Sequence, residues 1–489
     1  MRKVMKENLM DVFKTLYEAH AVVKDYIDND MRQNAYELLC DCQNTAVDLG
    51  NKIYEIEGDS FGGLSFFEEY CEAVYQTAIN EEIGGEAAKT ALDESLKAAE
   101  TAAGEIPAKL EVVFLPYKAS MWDSLESIWR AADADPECNV RVIPIPYYDR
   151  NPDHSFAAMH YEGKDFPDYV PITHYSEYDI ESNQPDIIYI HNPYDNRNYV
   201  TSVAPEYYSF ELKKHTPMLV YVPYFISGYY TNESTASANT PSAFKYADRI
   251  IIASPEQKRF YIAGGTPGSK FLVLGSPKID AIVDTLDDTV VPKEWVEKCN
   301  GKKVFLINLT ISRVLQDANW AKKTTELLEA VASSDDCILI WRPHPLLKAT
   351  IASMRPQQAK EFAAVIDAMS SHKNVIVDDT PFVHAAIKLS DALISDYSSV
   401  ALQYTFTGKP TLMTVGSSSY RNSRLVCTDY FSNYFIDDGV SIRDFVEMVC
   451  DGRDDLKEER IRTSTASVVN SDGSCGIKTH QEIKRLLEG

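Results

Sequence analysis

From about residue 108 onward, this chain of 489 residues alternates short apolar runs with stretches of helical periodicity. Apolar runs typical of strands occupy residues 111–116, 140–145, 186–191, 218–222, 249–253, 271–274, 304–308, 337–341, 375–377, 392–395 and 411–415. Helical periodicity occupies residues 122–132, 255–263, 319–332, 356–370, 381–389, 399–406, 442–450 and 477–487. Such alternation predicts parallel sheets covered by helices on both faces. In open sheets of this kind, ligands bind at the carboxyl ends of the strands.

The residues before this alternation have a different texture. Up to about residue 105 the chain contains no proline, and apolar residues such as Val12, Leu16, Ala19 and Val23 recur at helical spacing. Residues 1–104 hold 9 Lys+Arg and 21 Asp+Glu, a net charge of −12. The pattern predicts a helical bundle for interaction or oligomerisation, and its charge opposes binding to anionic lipid.

The predicted fold class is therefore α/β, a GT-B-like pair of Rossmann-type domains with an N-terminal α-helical domain. The predicted domains are residues 1–105 for the helices, 106–275 for the first Rossmann-like domain and 276–489 for the second. Residues 276–300 contain two prolines and several acidic residues, and they are interpreted as a linker.

Charge and composition narrow the function classes. The chain has 48 Lys+Arg against 73 Asp+Glu, a net charge of −25, which excludes nucleic-acid binding by a general positive field. No run of about 20 apolar residues predicts a membrane span, and the first residues form no apolar signal segment. A cytoplasmic protein is expected. The nine cysteines are scattered, so neither a disulfide framework nor a metal site is expected.

The strongest chemical signal lies where the predicted strand 392–395 ends. Asp396 follows the strand, Ser398 and Ser399 stand at the start of the next helix, and all three are candidates for binding a donor phosphate. The free N–H groups of a helix start bind anions, so a diphosphate could lie there. The alternative is a simple serine cap of the helix.

Three further segments hold cationic residues that could contact phosphate. Arg342 and His344 belong to an Arg-Pro-His-Pro segment after the strand 337–341, Lys278 belongs to Leu-Gly-Ser-Pro-Lys, and Arg421 follows the strand 411–415. Each has an alternative: His344 could have a structural role, Leu-Gly-Ser-Pro-Lys could be a hinge turn, and Arg421 could belong to a flexible loop.

The first Rossmann-like domain offers candidates for the acceptor chemistry. His191 follows a strand, and Asp195 lies near enough in sequence to orient its imidazole, as a general base requires. Tyr117 and Lys118 follow the first strand, and Tyr224 could stack on a polyol or a sugar. Each has an alternative: His191 could cap a loop, Lys118 could be solvated, and Tyr224 could belong to a half-buried loop.

Four segments together resemble one family. Leu-Gly-Ser-Pro-Lys, Arg-Pro-His-Pro, Ser-Asp-Ala-Leu-Ile-Ser-Asp-Tyr-Ser-Ser and Gly-Lys-Pro (residues 408–410) occur here in the order found in the CDP-glycerol glycerophosphotransferases. That family includes primases and polymerases of bacterial teichoic acids and related capsule enzymes. The resemblance covers about residues 110–489. It implies transfer of glycerol phosphate from CDP-glycerol to an acceptor hydroxyl with release of CMP, with no cofactor required.

The resemblance also implies roles for residues and partners. Arg342, His344, Ser398 and Ser399 would hold the donor in the second domain, and the acceptor, a lipid-linked glycan or a polymer, would meet the first. Family members carry Trp-His-Gly-Thr-Pro-Leu-Lys where this chain has Tyr-Val-Pro-Tyr-Phe-Ile-Ser-Gly at residues 221–228, so His191 is the candidate base. Peripheral contact with the inner face of the membrane and an oligomer through the helices are further expectations.

Three alternatives stay open at this point. The donor could be CDP-ribitol, or the chain could be a sugar-nucleotide epimerase or glycosyltransferase on the same fold. It could also be a non-catalytic member of the family that binds a nucleotide or a glycan.

Overall fold

The computed structural model describes residues 1–79, 86–227, 229–230, 241–311, 319–344, 346–415, 424–425 and 432–488. The chain divides into two compact units. One comprises Met1–Glu111 with Pro136–Asn139, and the other comprises Val112–Asp135 with Val140–Gly489. We call them the helical unit and the α/β unit. The domain boundaries 105/106 and 275/276 remain predictions.

The helical unit contains four long helices, which confirms the predicted N-terminal helical region. They are α1 (Lys3–Asp28), α2 (Arg32–Glu57), α3 (Leu64–Ile79) and α4 (Glu86–Gly104). Their apolar residues are spaced three or four apart and meet in one core, as Phe13, Ile53 and Phe67 illustrate. None of the helices in the described ranges combines the length and the apolar character that a membrane crossing requires.

The first large sheet of the α/β unit has six strands. These are β1 (Leu110–Leu115), β2 (Cys138–Val142), β5 (Ile187–Ile190), β7 (Met218–Tyr221), β9 (Arg249–Ile252) and β10 (Phe271–Val273), in the order β10-β9-β7-β5-β1-β2. The pairs β1–β5, β5–β7, β7–β9 and β9–β10 are parallel. A smaller antiparallel sheet joins β3 (Tyr147–Arg150), β4 (Phe156–His160) and β6 (Thr201–Val203) in the order β4-β3-β6. The sequence did not predict this smaller sheet, since its strands are short and of mixed polarity.

The second large sheet is also parallel. Its strands are β11 (Lys303–Asn308), β12 (Cys337–Arg342), β13 (Val375–Val377), β14 (Ala392–Ser395), β15 (Thr411–Met413) and β17 (Tyr434–Phe435), in the order β13-β12-β11-β14-β15-β17. A two-stranded ladder, β8 (Tyr229–Tyr230) with β16 (Arg424–Leu425), lies outside both sheets. The strand order places a topological switch point between β11 and β14, where open α/β sheets bind ligands. The predicted pair of Rossmann-type sheets is confirmed.

Helices connect and cover these strands. In the α/β unit they are α5 (Glu126–Asp133), α6 (Ile180–Asn183), α7 (Ser209–Leu212), α8 (Ser242–Tyr246), α9 (Pro255–Ala263), α10 (Pro277–Val283), α11 (Lys293–Cys299), α12 (Trp320–Ala332), α13 (Leu347–Met354), α14 (Ala359–Ser370), α15 (His384–Leu389), α16 (Ser399–Thr405), α17 (Ile442–Cys450), α18 (Lys457–Ser467) and α19 (Cys475–Glu488). The central strands are buried on both faces, which is why they appear in the sequence as unbroken apolar runs.

The predicted linker at residues 276–300 is wrong, because this stretch contains α10 and α11. Pro277 occupies the first turn of α10, where its missing N–H breaks no helical hydrogen bond. Ile279, Trp295 and Cys299 are buried in the core beside the second sheet. Proline and acidic residues there begin helices rather than interrupt structure.

Gly275, between β10 and α10, offers a stability test. Its φ of +104° disfavours any side chain, and an added Cβ would clash with the carbonyl oxygen of Val469. Gly265 has a similar φ of +98° but open space around it. We expect Gly265→Ala to lower the free energy of unfolding by about 1–3 kcal/mol through backbone strain alone. Gly275→Ala should lose about 2 kcal/mol more, because its backbone neighbour must also move.

Urea denaturation of both variants measures this difference directly. Equal losses in the two variants would show that the chain between β10 and α10 moves away from Val469 without cost.

Candidate functional site

A cavity of about 380 Å³ lies in the α/β unit, at the carboxyl ends of β11 and β12 and the start of α16. Side chains from both large sheets line it; they include Ser120, Met121, Tyr194, Tyr224, Lys278, Asn308, Thr310, Arg342, His344, Ser398, Ser399 and Gln403. The cavity is therefore at the topological switch point of the second sheet. Its size and its mixture of apolar and polar groups suit a small ligand.

His344 lines this cavity with a defined tautomer. The backbone N–H of Leu346 donates to its Nδ1 at 3.1 Å, so Nδ1 is unprotonated and the ring hydrogen is on Nε2. Burial, with Arg342 and Lys118 nearby, lowers the pKa of His344 to about 4. At neutral pH the imidazole is therefore uncharged and acts as a hydrogen-bond donor through Nε2–H.

Arg342 lies in the cavity wall, but its guanidinium already has an anionic partner. Nη1 donates to Asp378 Oδ2 at 2.7 Å, and Nη2 donates to the Pro381 carbonyl at 2.9 Å. Both side chains of this ion pair are buried. The predicted phosphate ligand thus holds the loop after β13 in place, and Asp378 balances its charge.

The residues around the start of α16 divide into three roles. Ser398 Oγ accepts a hydrogen bond from Ala401 N at 3.0 Å, which is the serine cap that the sequence left open as an alternative. Asp396 accepts hydrogen bonds from the N–H and hydroxyl of Thr310, so it fixes the loop after β11. The prediction that Asp396 binds phosphate is wrong, because its carboxylate has these donors and would repel an anion. Ser399 lines the cavity.

Lys278 belongs to a buried cluster that joins the two sheets. Its ammonium donates to both carboxylate oxygens of Asp123, each at 2.6 Å. Gln403 Nε2 donates to Asp123 Oδ2 at 3.1 Å, and His384 Nε2 lies 3.5 Å from the same oxygen. Burial raises the pKa of Asp123, but Lys278 and His384 outweigh it and hold the pKa well below its usual value. Lys278 is therefore a neutralised cation at the cavity wall.

Asp123, Gln403 and His384 were missed at the sequence level. Asp123 stands in a Trp-Asp pair after the first strand, within an apparent helix, and no motif marks it. The only signal was a charged residue in an otherwise apolar stretch.

His191 does not meet the requirements of a general base. The side chain is fully buried, and the backbone N–H of Tyr117 donates to its Nε2 at 3.1 Å. Its Nδ1 lies 3.1 Å from Ser124 Oγ, which itself donates to the Met121 carbonyl. Burial is the main cause that lowers the pKa of His191 to about 3. Both ring nitrogens are engaged, so the ring supports the loop after β1.

The predicted orientation of His191 by Asp195 is also wrong. Asp195 accepts hydrogen bonds from Ser209, from N at 3.0 Å and from Oγ at 2.7 Å. Its own φ of +49° turns the chain at this point. The carboxylate therefore binds the start of α7, and the histidine finds its partners in the β1 loop.

The remaining predicted residues occupy different places. Lys118 is buried, and its Nζ donates to Tyr147 Oη at 2.6 Å and to Glu162 Oε1 at 3.3 Å, so it is not a solvated lysine. Tyr117 is buried with its ring edge-to-face against His191. Tyr224 lines the cavity. Arg421 lies outside the described residues.

Comparisons with known proteins show which family the sequence of this chain matches. The model of the family described as CDP-glycerol:poly(glycerophosphate) glycerophosphotransferase matches residues 227–472, half of the chain. No curated protein matches the chain.

Several solved structures are similar to the chain. The wall teichoic acid polymerase TagF is 12% identical with a TM-score of 0.48, over 91% of this chain and 98% of its own. A UDP-N-acetylglucosamine 2-epimerase is 13% identical with a TM-score of 0.48, over 78% and 97%. The S. aureus protein MnaA, solved with UDP, is 14% identical with a TM-score of 0.44, over 78% and 97%. Likeness at this level does not bear on what this chain binds.

Proposed function

Because the chain belongs to the CDP-glycerol:poly(glycerophosphate) glycerophosphotransferase family, we propose that it transfers glycerol phosphate from CDP-glycerol to an acceptor hydroxyl in the synthesis of teichoic acid or a related surface polymer. One observation supports the cavity as the site of this reaction. The cavity that contains His344 and Ser399 lies at the switch point of the second large sheet, and both of these residues belong to the part of the chain that the family model matches.

The reaction is a displacement at phosphorus. The acceptor oxygen forms a bond to the phosphorus that carries glycerol, and the bond from that phosphorus to the bridging oxygen of CMP breaks. The acceptor proton goes to a base or to water, and CMP leaves with the bridging oxygen. The donor already carries an activated phosphate, so the proposal includes no cofactor. Such chemistry depends on positioning and on stabilising charge at the phosphate oxygens.

Uncharged donors of the cavity are suited to that task. His344 offers Nε2–H, Ser399 offers a hydroxyl, and the first turn of α16 offers backbone N–H groups. Lys278 and Arg342 have buried carboxylate partners, so they contribute a balanced rather than a free positive charge. We propose that the diphosphate lies against His344 and α16, and that Tyr224 faces the polyol.

A second candidate, a binding protein without transferase activity, has support from one specific observation. Family members place a histidine where this chain has residues 221–228, and His191, the residue that could replace it, is locked in two hydrogen bonds. Among the described residues that line the cavity, His344 is the histidine present, and its Nδ1 is occupied by a backbone N–H. Neither of these two histidines therefore offers a nitrogen that could take the proton of an acceptor hydroxyl.

The two candidates separate in one pair of measurements on the full chain. Isothermal titration calorimetry measures CDP-glycerol binding, and chromatography measures CMP release with and without a poly(glycerophosphate) acceptor. We expect binding together with acceptor-dependent CMP release. Binding without CMP release, over a panel of acceptors, would establish the binding protein. Tight binding of UDP-N-acetylglucosamine with none of CDP-glycerol would contradict both candidates.

The finer expectations about location stay proposals. We propose a peripheral position at the inner face of the membrane, where a lipid-linked acceptor would be available. The net charge of −12 on residues 1–104 opposes direct contact with anionic lipid. A position at the membrane would therefore depend on another protein.

A further inference from the structure

The helical unit carries a groove between α2 and α3, whose lining includes the core residues Ala46 and Phe67 as well as exposed side chains. The lining residues fall at helical spacing on each helix: Gln43, Ala46, Val47, Gly50, Asn51 and Tyr54 on α2, and Leu64, Phe67, Glu68, Cys71, Glu72 and Tyr75 on α3. The volume of the groove is about 750 Å³. Residues 43–54 extend over about 16 Å of helix axis, the length of three turns.

Large apolar side chains are exposed along this groove. Val47 and Tyr54 are each 48% exposed, and Tyr75 is 47% exposed. Gly50 deepens the floor, since an added Cβ would only touch Phe67 and Leu64 at 3.8–3.9 Å. Contiguous apolar surface of this kind marks interaction sites in soluble units.

The negative charge around the groove indicates which class of partner can bind there. Residues 31–79 hold nine Asp+Glu against two Lys+Arg. Glu68 and Glu72 lie in the groove, and neither pairs with a Lys or Arg in the part of the chain that the structure describes. A second copy of the chain would bring the same sign of charge, and an anionic lipid surface would be repelled.

We propose that this groove binds a basic amphipathic helix of a partner protein. Apolar side chains at positions i, i+3 or i+4, and i+7 of the partner would enter the groove, and flanking Lys or Arg would face Glu68 and Glu72. The groove shares no lining residue with the cavity of the α/β unit. It would allow a basic partner to bring the enzyme to its acceptor without direct lipid binding.

A labelled peptide tests the proposal on the full chain. The probe is a synthetic 18-residue helix with Leu on one face and Lys on the other, and its matched control has Glu at every Lys position. We expect the Lys peptide to bind, measured by fluorescence anisotropy, with an affinity that falls as salt rises. The Glu peptide should not bind. Equal binding of the two peptides would overturn the charge complementarity.

Variants locate the binding on the surface. Gly50→Leu fills the floor of the groove, and Val47→Ser with Tyr75→Ser removes exposed apolar contacts without touching the core. Each should weaken binding by about tenfold or more. Glu68→Gln with Glu72→Gln should reduce the salt dependence. Val22→Ser, on the exposed face of α1, is the matched control and should not change binding.

Two results would overturn the proposal. Unchanged peptide affinity in the Gly50→Leu variant and in the Val47→Ser, Tyr75→Ser variant, both folded by circular dichroism, would place the binding elsewhere. Self-association of the wild type in sedimentation, abolished by Gly50→Leu, would identify the groove as a contact between copies. Because CMP release is measured separately, failure of the groove proposal leaves the transferase proposal standing.

Discussion

Replacing His344 by asparagine is expected to lower the rate of CMP release by about 10²–10³-fold, the loss typical when one donor to a developing charge is removed. The asparagine oxygen can still accept the hydrogen bond that Leu346 N gives to Nδ1 in the wild type. The loop should therefore stay in place, while the Nε2–H donor is lost. The measurement is CMP release at saturating CDP-glycerol.

Glutamine at position 344 is the matched control, because its amide NH₂ reaches toward the position of Nε2–H. His344→Gln should retain activity within about tenfold of the wild type if His344 acts as a donor. A base would behave differently, since glutamine cannot accept a proton. Equal loss in both variants, or wild-type rates in His344→Asn, would remove the donor role. Calorimetry of CDP-glycerol binding gives a second readout that does not require turnover.

The pH profile gives an independent check on the same residue. His344 has a folded pKa of about 4, so its uncharged donor form persists as the pH falls through 6.5. The rate should show no His344 inflection near pH 6–7 and should fall only as the pH approaches about 4. An inflection near 6.5 that disappears in His344→Gln would mean that the ring titrates normally and is not held by Leu346 and burial.

The fold could be predicted because its main determinant is local. A parallel strand covered on both faces is an unbroken apolar run, and β5, β12 and β14 are such runs. Their alternation with helices is enough to indicate two Rossmann-type sheets. The short strands β3, β4 and β6 have mixed polarity, and no local signal separated them from loops.

The partners of the site residues could not be predicted, because they come from distant parts of the chain. Arg342 meets Asp378, 36 positions away, and Lys278 meets Asp123, 155 positions away. Arg342 and Lys278 stand beside predicted strand ends and looked free in sequence, but the fold supplied both with a buried carboxylate. The prediction for Asp195 failed in the opposite way. Asp195 is close to His191 in sequence, but its carboxylate accepts a hydrogen bond from Ser209 instead.

Some details of the site depend on backbone geometry that no side-chain pattern records. The tautomer of His344 follows from the direction of the Leu346 N–H. The Nε2 of His191 is unavailable as a base because the Tyr117 N–H donates to it. The motif search therefore found the segments that form the cavity, while the chemical state of each side chain required the structure.

Breaking the Asp123–Lys278 pair should produce the largest loss of stability. Asp123→Asn leaves a buried ammonium without its counter-charge, which costs about 3–5 kcal/mol. The double variant Asp123→Asn, Lys278→Gln removes both charges and should recover most of this loss. Urea denaturation at pH 7 measures all three proteins. Glu459→Gln, in the exposed pair with Arg462, is the control and should change stability by less than about 1 kcal/mol.

The free energy of unfolding should also depend on pH through the carboxylate of Asp123. The folded pKa of Asp123 lies below its unfolded value, so the group stabilises the fold above that unfolded value, and the contribution is lost as the pH falls toward the folded pKa. The double variant should therefore lose less stability than the wild type between about pH 5 and pH 2. A single Asp123→Asn variant as stable as the wild type, with an unchanged acid limb, would show that Lys278 reaches solvent instead of the buried carboxylate. In that case Lys278 would be free to contact the donor phosphate, and the cavity would rely on a cation rather than on neutral hydrogen-bond donors.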